Sequence, residues 1–257
     1  MRLVQIESAT SGVRTLVLDR PPVNALGHEL VDELTVALGR LSSDDQARCL
    51  IVRSAGAHFC AGADLKERAT MSVEEVREFV PRLAGVCSAL AAIPYPTIAE
   101  LRGAAAGGGC ELALACDLRV MAEDGKIGLR ETALAIIPGA GGTQRLPRLI
   151  GPMKAKRWIF SAAMHDAAEA LADGVVQRVV PQHRLNREVQ ELAEAIAACG
   201  PLANRLAKRA IDRGAELPID RGLQLEWECY QETLQTEDRV EALRAFAEKR
   251  PPRFGGK

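Results

Sequence analysis

Gly103-Ala104-Ala105-Ala106-Gly107-Gly108-Gly109-Cys110-Glu111-Leu112-Ala113-Leu114-Ala115-Cys116-Asp117 stands between two short β-rich runs, Thr97 to Leu101 and Leu118 to Ala122. The triple glycine leads into an Ala- and Leu-rich helix, so the stretch reads as strand, glycine turn, helix, strand. That order predicts an α/β chain. Upstream, Cys49 to Val52 is a compact apolar run typical of a buried strand. Leu3 to Ile6 and Val13 to Leu18 flank Ser8-Ala9-Thr10-Ser11-Gly12 and predict a hairpin. Leu30, Leu34, Ala37, Leu38 and Leu41 recur at helical spacing. Ser72 with Glu75 forms a capping box that opens a helix running to about Ala91. Val175 to Val180 reads as a further strand. From about Asn186 the character changes: Glu191–Ala198, Leu202–Arg213, Gly222–Leu234 and Arg239–Glu248 all read as helices. A helical tail of this kind must dock on the α/β core or on a partner subunit.

Composition narrows the function. The chain has 257 residues, with 33 Lys+Arg against 34 Asp+Glu, and the resulting net charge of −1 gives no basic face for coating a duplex. Aromatics at 4% cannot supply a stacking platform for single-stranded nucleic acid, and the core must rest on Ala, Leu, Val and Ile. The most apolar stretch, Leu83 to Leu101, is cut by Pro94 and Pro96 and carries Glu100, so it predicts no membrane span. Gln5 and Glu7 interrupt the N-terminal apolar run, which predicts no signal peptide. Seven cysteines without a CxxC pair read as buried thiols in a reducing compartment, and the cytoplasm is the expected setting.

Several familiar chemistries lack their residues. Neither Gly103–Gly109 nor Gly139–Gly142 is followed by Lys-Ser/Thr, so there is no P-loop. No GxGxxG follows a strand and no GxSxG elbow is present. The histidines at 28, 58, 165 and 183 have no metal-ligand spacing. Two glycine-flanked segments remain, Phe59-Cys60-Ala61-Gly62-Ala63-Asp64-Leu65-Lys66-Glu67 and the 103–117 stretch. Glycine lets a backbone approach a ligand, and the unpaired N–H groups of a helix start suit an anion or a developing oxyanion. A tight packing turn would use the same residues, and composition does not separate the two. Glu111 falls in the first turn of an otherwise apolar helix, where burial would shift its pKa. Glu131 precedes a second glycine turn, Pro138 to Gly142. Two carboxylates at one site can hold a water and move protons in both directions, whereas each alone reads equally as a cap or a surface ion pair. Asp64 reads in the same way, as a helix-terminal charge beside Lys66.

These motifs, in order, resemble the enoyl-CoA hydratase/isomerase (crotonase) superfamily over essentially the whole chain. The matching segments are Asn24-Ala25-Leu26 after Arg20-Pro21-Pro22, the 59–67 and 107–117 segments, Ile137 to Gly151, and Ala245 to Phe254. Within the superfamily, Lys66-Glu67-Arg68, Glu131 to Pro138 and the closing residues are most similar to the methylglutaconyl-CoA hydratase and AU-RNA-binding branch. The resemblance implies a spiral of β-β-α turns over 1–195 and a helical oligomerisation region over 196–257, with assembly as a trimer or a hexamer of two trimers. It implies an oxyanion hole from the N–H groups of Ala63 and Gly108. Glu111 would position and deprotonate water, and Glu131 would deliver a proton to C2 of a 2-enoyl-CoA. The coenzyme A portion would lie along Ala61, Ala63, Asp64, Leu65 and Lys66, near Ala25, Gly108 and Gly139, with the basic tail at Lys249 meeting its phosphates. No separate cofactor or metal is expected, because the thioester itself acidifies C2.

Two departures stand out. Ala104-Ala105-Ala106 replaces bulkier residues common before the glycines, which means either a roomier acyl pocket or local repacking. Arg130, beside Glu131, either points to solvent, the favoured reading, or meets the site. An isomerase of 3-enoyl-CoA is a competing activity. RNA binding is disfavoured, because His28 to Leu41 contains no lysine and carries Glu29, Asp32 and Glu33. Chain length, branching and carboxylation of the acyl group stay open.

Overall fold

The computed structural model describes residues 2–257. Strands β1 (Val4–Ser8) and β2 (Val13–Leu18) form the expected hairpin, followed by α1 (His28–Ser42) and β3 (Cys49–Ser54). Then come α2 (Leu65–Arg68), α3 (Val73–Ala91), β4 (Thr97–Leu101), β5 (Ala104–Ala106), α4 (Gly108–Leu114), β6 (Leu118–Ala122) and β7 (Lys126–Gly128). Next are α5 (Gly142–Ile150), α6 (Pro152–Ser161), β8 (His165–Asp166), α7 (Ala167–Asp173) and β9 (Arg178–Val180). The chain closes with α8 (Leu185–Ala197), α9 (Pro201–Gly214), α10 (Ile219–Thr233) and α11 (Glu237–Ala247).

A six-stranded sheet has the order β1-β2-β3-β4-β6-β9, parallel except at the β1–β2 hairpin. A second sheet runs β5-β7-β8. Each turn of the chain adds one strand to the large sheet, then a short extended segment beside the small one, then a helix. The pattern is plainest in β4–β5–α4 and in β6–β7–α5. Earlier turns contribute only single bridges to the second layer, Leu26 to Ala63 and Cys60 to Ala105. The expected β-β-α spiral is therefore present.

Both faces of the large sheet are covered, which is why its strands read as continuous apolar runs rather than as alternating ones. Leu50, Val52, Ala99 and Leu101 pack with α1 and α3 on one face. Cys49, Ile51, Ile98 and Val120 pack on the other against Leu185, Val189, Ala193 and Ala197 of α8. The Ser72–Glu75 capping box forms as its spacing predicts, with Glu75 Oε2 accepting the Ser72 N–H at 2.7 Å. The 195/196 division falls near the end of α8, whose inner face belongs to the sheet; α9 to α11 follow without strands. All seven cysteines are free thiols, and only Cys199 is exposed. Among the described residues no helix is long and apolar enough to cross a membrane.

The sequence reading needs correction at several elements. Val175 to Val180 forms a strand only at Arg178–Val180, because Val175 and Val176 donate their N–H groups to the Ala170 carbonyl of α7. Ala104–Ala106 is a strand in its own right, held by β7. Helix α8 starts at Leu185, ahead of Glu191, and α10 starts directly after Pro218.

A tight joint lies between α4 and the loop before α2. A methyl group at Gly109 would overlap the carbonyl and Cβ of Cys60, which are buried and cannot move aside. Gly109→Ala is expected to lower stability by about 1–3 kcal/mol, seen as an earlier midpoint in urea unfolding followed by far-UV circular dichroism.

Candidate active site

Backbone amides and two carboxylates meet in one cavity of about 820 Å³. Its floor is the joint just described. Gly62 has φ +86° and Gly107 φ +52°, conformations that favour glycine. A Cβ on Gly62 would stand 2.5 Å from the Ala106 carbonyl oxygen and 3.0 Å from the Gly108 nitrogen. The two loops can approach only without side chains. Gly108 is the first helical residue of α4, so its N–H has no partner within the helix. Among the described residues the Ala63 N–H also lacks a protein acceptor, although its neighbours are bonded on both sides. The Leu26 N–H donates to Gly62 O at 2.7 Å, and the Asp64 N–H donates to Leu26 O at 3.1 Å. Both Ala63 and Gly108 line the cavity, and neither N–H has an acceptor among the described residues.

Glu111 is 2% exposed, and its Oε1 accepts the N–H groups of Ala140 at 2.7 Å and Gly142 at 2.8 Å. Burial raises its pKa; the two amides and the nearby Arg145 oppose that rise. Arg145 Nη1 in turn donates to Ala140 O at 2.9 Å, which ties down the turn carrying both amides. Glu131 lies at the start of a short 3-10 turn, Glu131–Leu134. Its Oε2 is buried without a hydrogen-bond partner. Burial first, then the charge of Glu111, pushes its pKa up to about 7. One carboxylate is therefore held by amide donors, while the other sits poised near neutrality.

Of the residues named from sequence, Ala61, Ala63, Leu65, Gly108, Glu111, Glu131 and Gly139 line this cavity. Ala25, Asp64, Lys66 and Lys249 are not part of its lining. The Ala25 carbonyl accepts Arg20 Nη1. Asp64 caps α2 by accepting the Lys66 and Glu67 N–H groups and pairs with Arg20 at 2.8 Å. Lys66 is exposed. In the basic tail, Arg250 is paired with Glu241 and Glu248 at 2.6 Å each, so its charge is met within the chain, and Lys249 beside it is exposed. Arg130 is exposed, with Nη1 on the Ala162 carbonyl at 2.9 Å rather than on Glu131. Of the three alanines, Ala105 is buried in the core and Ala106 lines the cavity.

Arg20 and Asn24 were named from sequence only as part of a matching segment, and the structure shows that they hold the amide loop. Asn24, with φ +51°, binds Ser54 Oγ at 2.8 Å and the Phe59 carbonyl at 3.0 Å, while its own Oδ1 accepts the Arg20 N–H at 2.7 Å. Arg20 bridges Asp64 and Glu67. Their signal was a polar pair at the ends of the Arg20-to-Asn24 segment, and nothing local showed what it would grip.

The chain is thus an α/β spiral that brings two free amides and two glutamates of unlike environment to one cavity. The enoyl-CoA hydratase/isomerase family matches residues 8–257, and the chain belongs to that family. Methylglutaconyl-CoA hydratase, mitochondrial, of Homo sapiens is 47% identical, with 100% of this chain and 77% of the relative covered. Enoyl-CoA hydratase domain-containing protein 2, mitochondrial, of Mus musculus is 46% identical over 99% of this chain and 89% of the relative. The crystal structure of an enoyl-CoA hydratase from Bacillus anthracis superposes with a TM-score of 0.97 at 45% identity, covering 99% of this chain and 100% of that one. The expectation of a cytoplasmic setting is corrected by these relatives, two of which carry mitochondrial names.

Because its pKa is raised in the folded chain, Glu131 stabilises the fold fully below the ordinary glutamate value of 4.5, and that contribution is lost as pH rises through about 7. In ¹³C NMR of carboxyl-labelled glutamate, one signal should titrate near 7 and be missing from Glu131→Gln.

Proposed function

We propose that this chain hydrates 2-enoyl-CoA thioesters to 3-hydroxyacyl-CoA. The observation that carries the reading is the pairing of two unpartnered amides, Ala63 and Gly108, with two carboxyls of unlike environment in one cavity. The thioester oxygen accepts both N–H groups and gains charge as C3 is attacked, each donor contributing about 3–4 kcal/mol to the transition state. Glu111, kept receptive to a proton by its charged form's two amide bonds, removes a proton from water as the oxygen adds to C3. Glu131, protonated below its titration point, gives its proton to C2. The product carries hydroxyl at C3 and hydrogen at C2, and proton exchange restores the two glutamates.

A 3-enoyl-CoA isomerase needs one base and no attacking water; the presence of both glutamates favours hydration. The relatives named methylglutaconyl-CoA hydratase bring a carboxylated enoyl thioester into the range of proposed substrates. Self-association as a trimer or hexamer, through the region from 196 onward, is part of the same proposal. Its support is apolar surface on α9 to α11, where Ile211, Ile219, Trp227 and Phe246 are each more than half exposed.

Crotonyl-CoA hydration, followed by loss of the enone absorbance, tests the reading. Glu111→Gln and Glu131→Gln are each expected to lower kcat by about a hundredfold. In the unmodified enzyme, kcat/KM is expected to fall as pH rises past about 7, when Glu131 loses its proton. If crotonyl-CoA and longer, branched and carboxylated enoyl-CoAs were all left untouched, hydration would be refuted.

A further inference from the structure

The Glu131 carboxyl has no anchor outside its own turn. Its Oε2 is without a hydrogen-bond partner, and the amides that reach the carboxyl are those of Glu131 and Arg130 themselves. The carboxyl therefore goes where the turn goes. That turn is a single 3-10 turn, closed by Ala135 in the left-handed region at φ +57°, and Ala133 to Ile137 are exposed. One isolated turn has little stability of its own. Yet Glu131 is placed closely: a Cβ on Gly107 would stand 3.0 Å from its Oε1, so the carboxyl lies beside the amide wall.

Two side chains, one on each side of Glu131, tie the turn down. Thr132 Oγ1 donates to the Ile159 carbonyl at 2.6 Å, and Arg130 Nη1 donates to the Ala162 carbonyl at 2.9 Å. Both acceptors lie at the C-terminal end of α6, where helix carbonyls run short of donors. Helix α6 is itself firmly held. Trp158, wholly buried, donates its Nε1–H to Asp173 of α7 at 2.7 Å, and its ring stacks on His165 with centroids 3.8 Å apart. Asp173 also pairs with Lys154 and Arg157 of α6, at 3.2 and 2.7 Å. We propose that Thr132 and Arg130 are positioning residues, which hold the Glu131 carboxyl against the Gly107–Gly108 backbone by fastening its turn to the end of α6. Thr132 is not part of the cavity lining, so its effect on turnover passes through the turn. The inference rests on the hydratase reading for the carboxyl's task and adds what sets its place.

Thr132→Val keeps the shape and charge of the turn and removes the hydroxyl, whereas Thr132→Ser keeps the hydroxyl. In Thr132→Val, kcat for crotonyl-CoA hydration at neutral pH is expected to fall by about tenfold, with KM near that of wild type. Thr132→Ser should restore most of that loss. A turn freed from α6 admits water to the carboxyl, and water favours the anion. The ¹³C carboxyl signal of Glu131, identified by its absence from Glu131→Gln, should therefore titrate at lower pH in Thr132→Val, moving from about 7 toward 4.5. The other ionisable groups around the turn are unchanged in that variant. Glu111 and the buried Cys110 thiol lie near it on α4; on α6, Lys154 and Arg157 are paired with Asp173 and Lys156 is exposed. Arg130→Met gives two causes opposite signs. Loss of the charge alone would move the signal up, whereas loss of the anchor moves it down. A downward move is expected, and an upward one would overturn the role given to Arg130. A Glu131 signal that titrates in Thr132→Val as in wild type would refute the proposal, even if kcat fell in step with the folded fraction. The titration needs no turnover, so it is separate from the fate of the hydratase reading. If wild type left every enoyl-CoA untouched, that reading would fail, while a downward shift in Thr132→Val would still support the placement.

Discussion

The structure depends on a contact from which side chains are excluded. Where α4 meets the loop ahead of α2, Gly109 lies against Cys60 and Gly62 lies against Ala106 and Gly108, leaving no room for a Cβ. This joint fastens two successive turns of the spiral together through backbone alone. It also brings the Ala63 and Gly108 amides to one wall of a cavity. Packing and chemistry thus share a cause: the small residues that let the layers close are those that leave two donors unsatisfied. A bulkier residue at these positions would separate the amides as well as loosen the core. The neighbouring loop donors Leu26, Asp64 and Gly107 do find acceptors, so the two open N–H groups lie among bonded ones.

The same joint sets the unlike character of the two glutamates. Glu111 rides on the first turn of α4 and is carried into the interior, where it would be strongly disfavoured as an anion without donors. The turn from Pro138 to Gly142 supplies two, and Arg145 braces that turn from below. Glu131 approaches from a different loop; desolvation governs it and Glu111 adds repulsion, while the backbone amides of Glu131 and Arg130 offset this only in part and Oε2 has no hydrogen-bond partner. Two like residues are driven apart in proton affinity by their surroundings, which is the arrangement acid–base chemistry requires.

How much of this could be read in the sequence followed from range. Strands β2, β3, β4 and β6 are covered on both faces, so their apolar runs were visible locally, and the capping box of α3 is a four-residue signal. The second sheet was not visible. Ala104-Ala105-Ala106 has weak strand preference and becomes β5 only because Lys126–Gly128 pairs with it from another turn of the chain. Likewise, Glu111 and Glu131 stood out because each is a carboxylate beside glycines in apolar sequence. Asn24 and Arg20 did not, since their partners at Ser54, Phe59, Asp64 and Glu67 lie more than 25 positions away and only the fold brings them near. Lys66 and Lys249 are exposed basic residues beside the matching motifs. A basic residue next to a motif reads as ligand-facing, yet charge says nothing about direction; both lie outside the cavity lining.

Low polarity is what lets this cavity do several things at once. Exclusion of water raises Glu131 and leaves its Oε2 without a hydrogen-bond partner. A ligand that filled this space would remove the remaining water around Glu131, and the loss of that water would hold the carboxyl in its protonated form. The groups that bind a ligand and the group that gives up a proton would then be linked through the water they exclude.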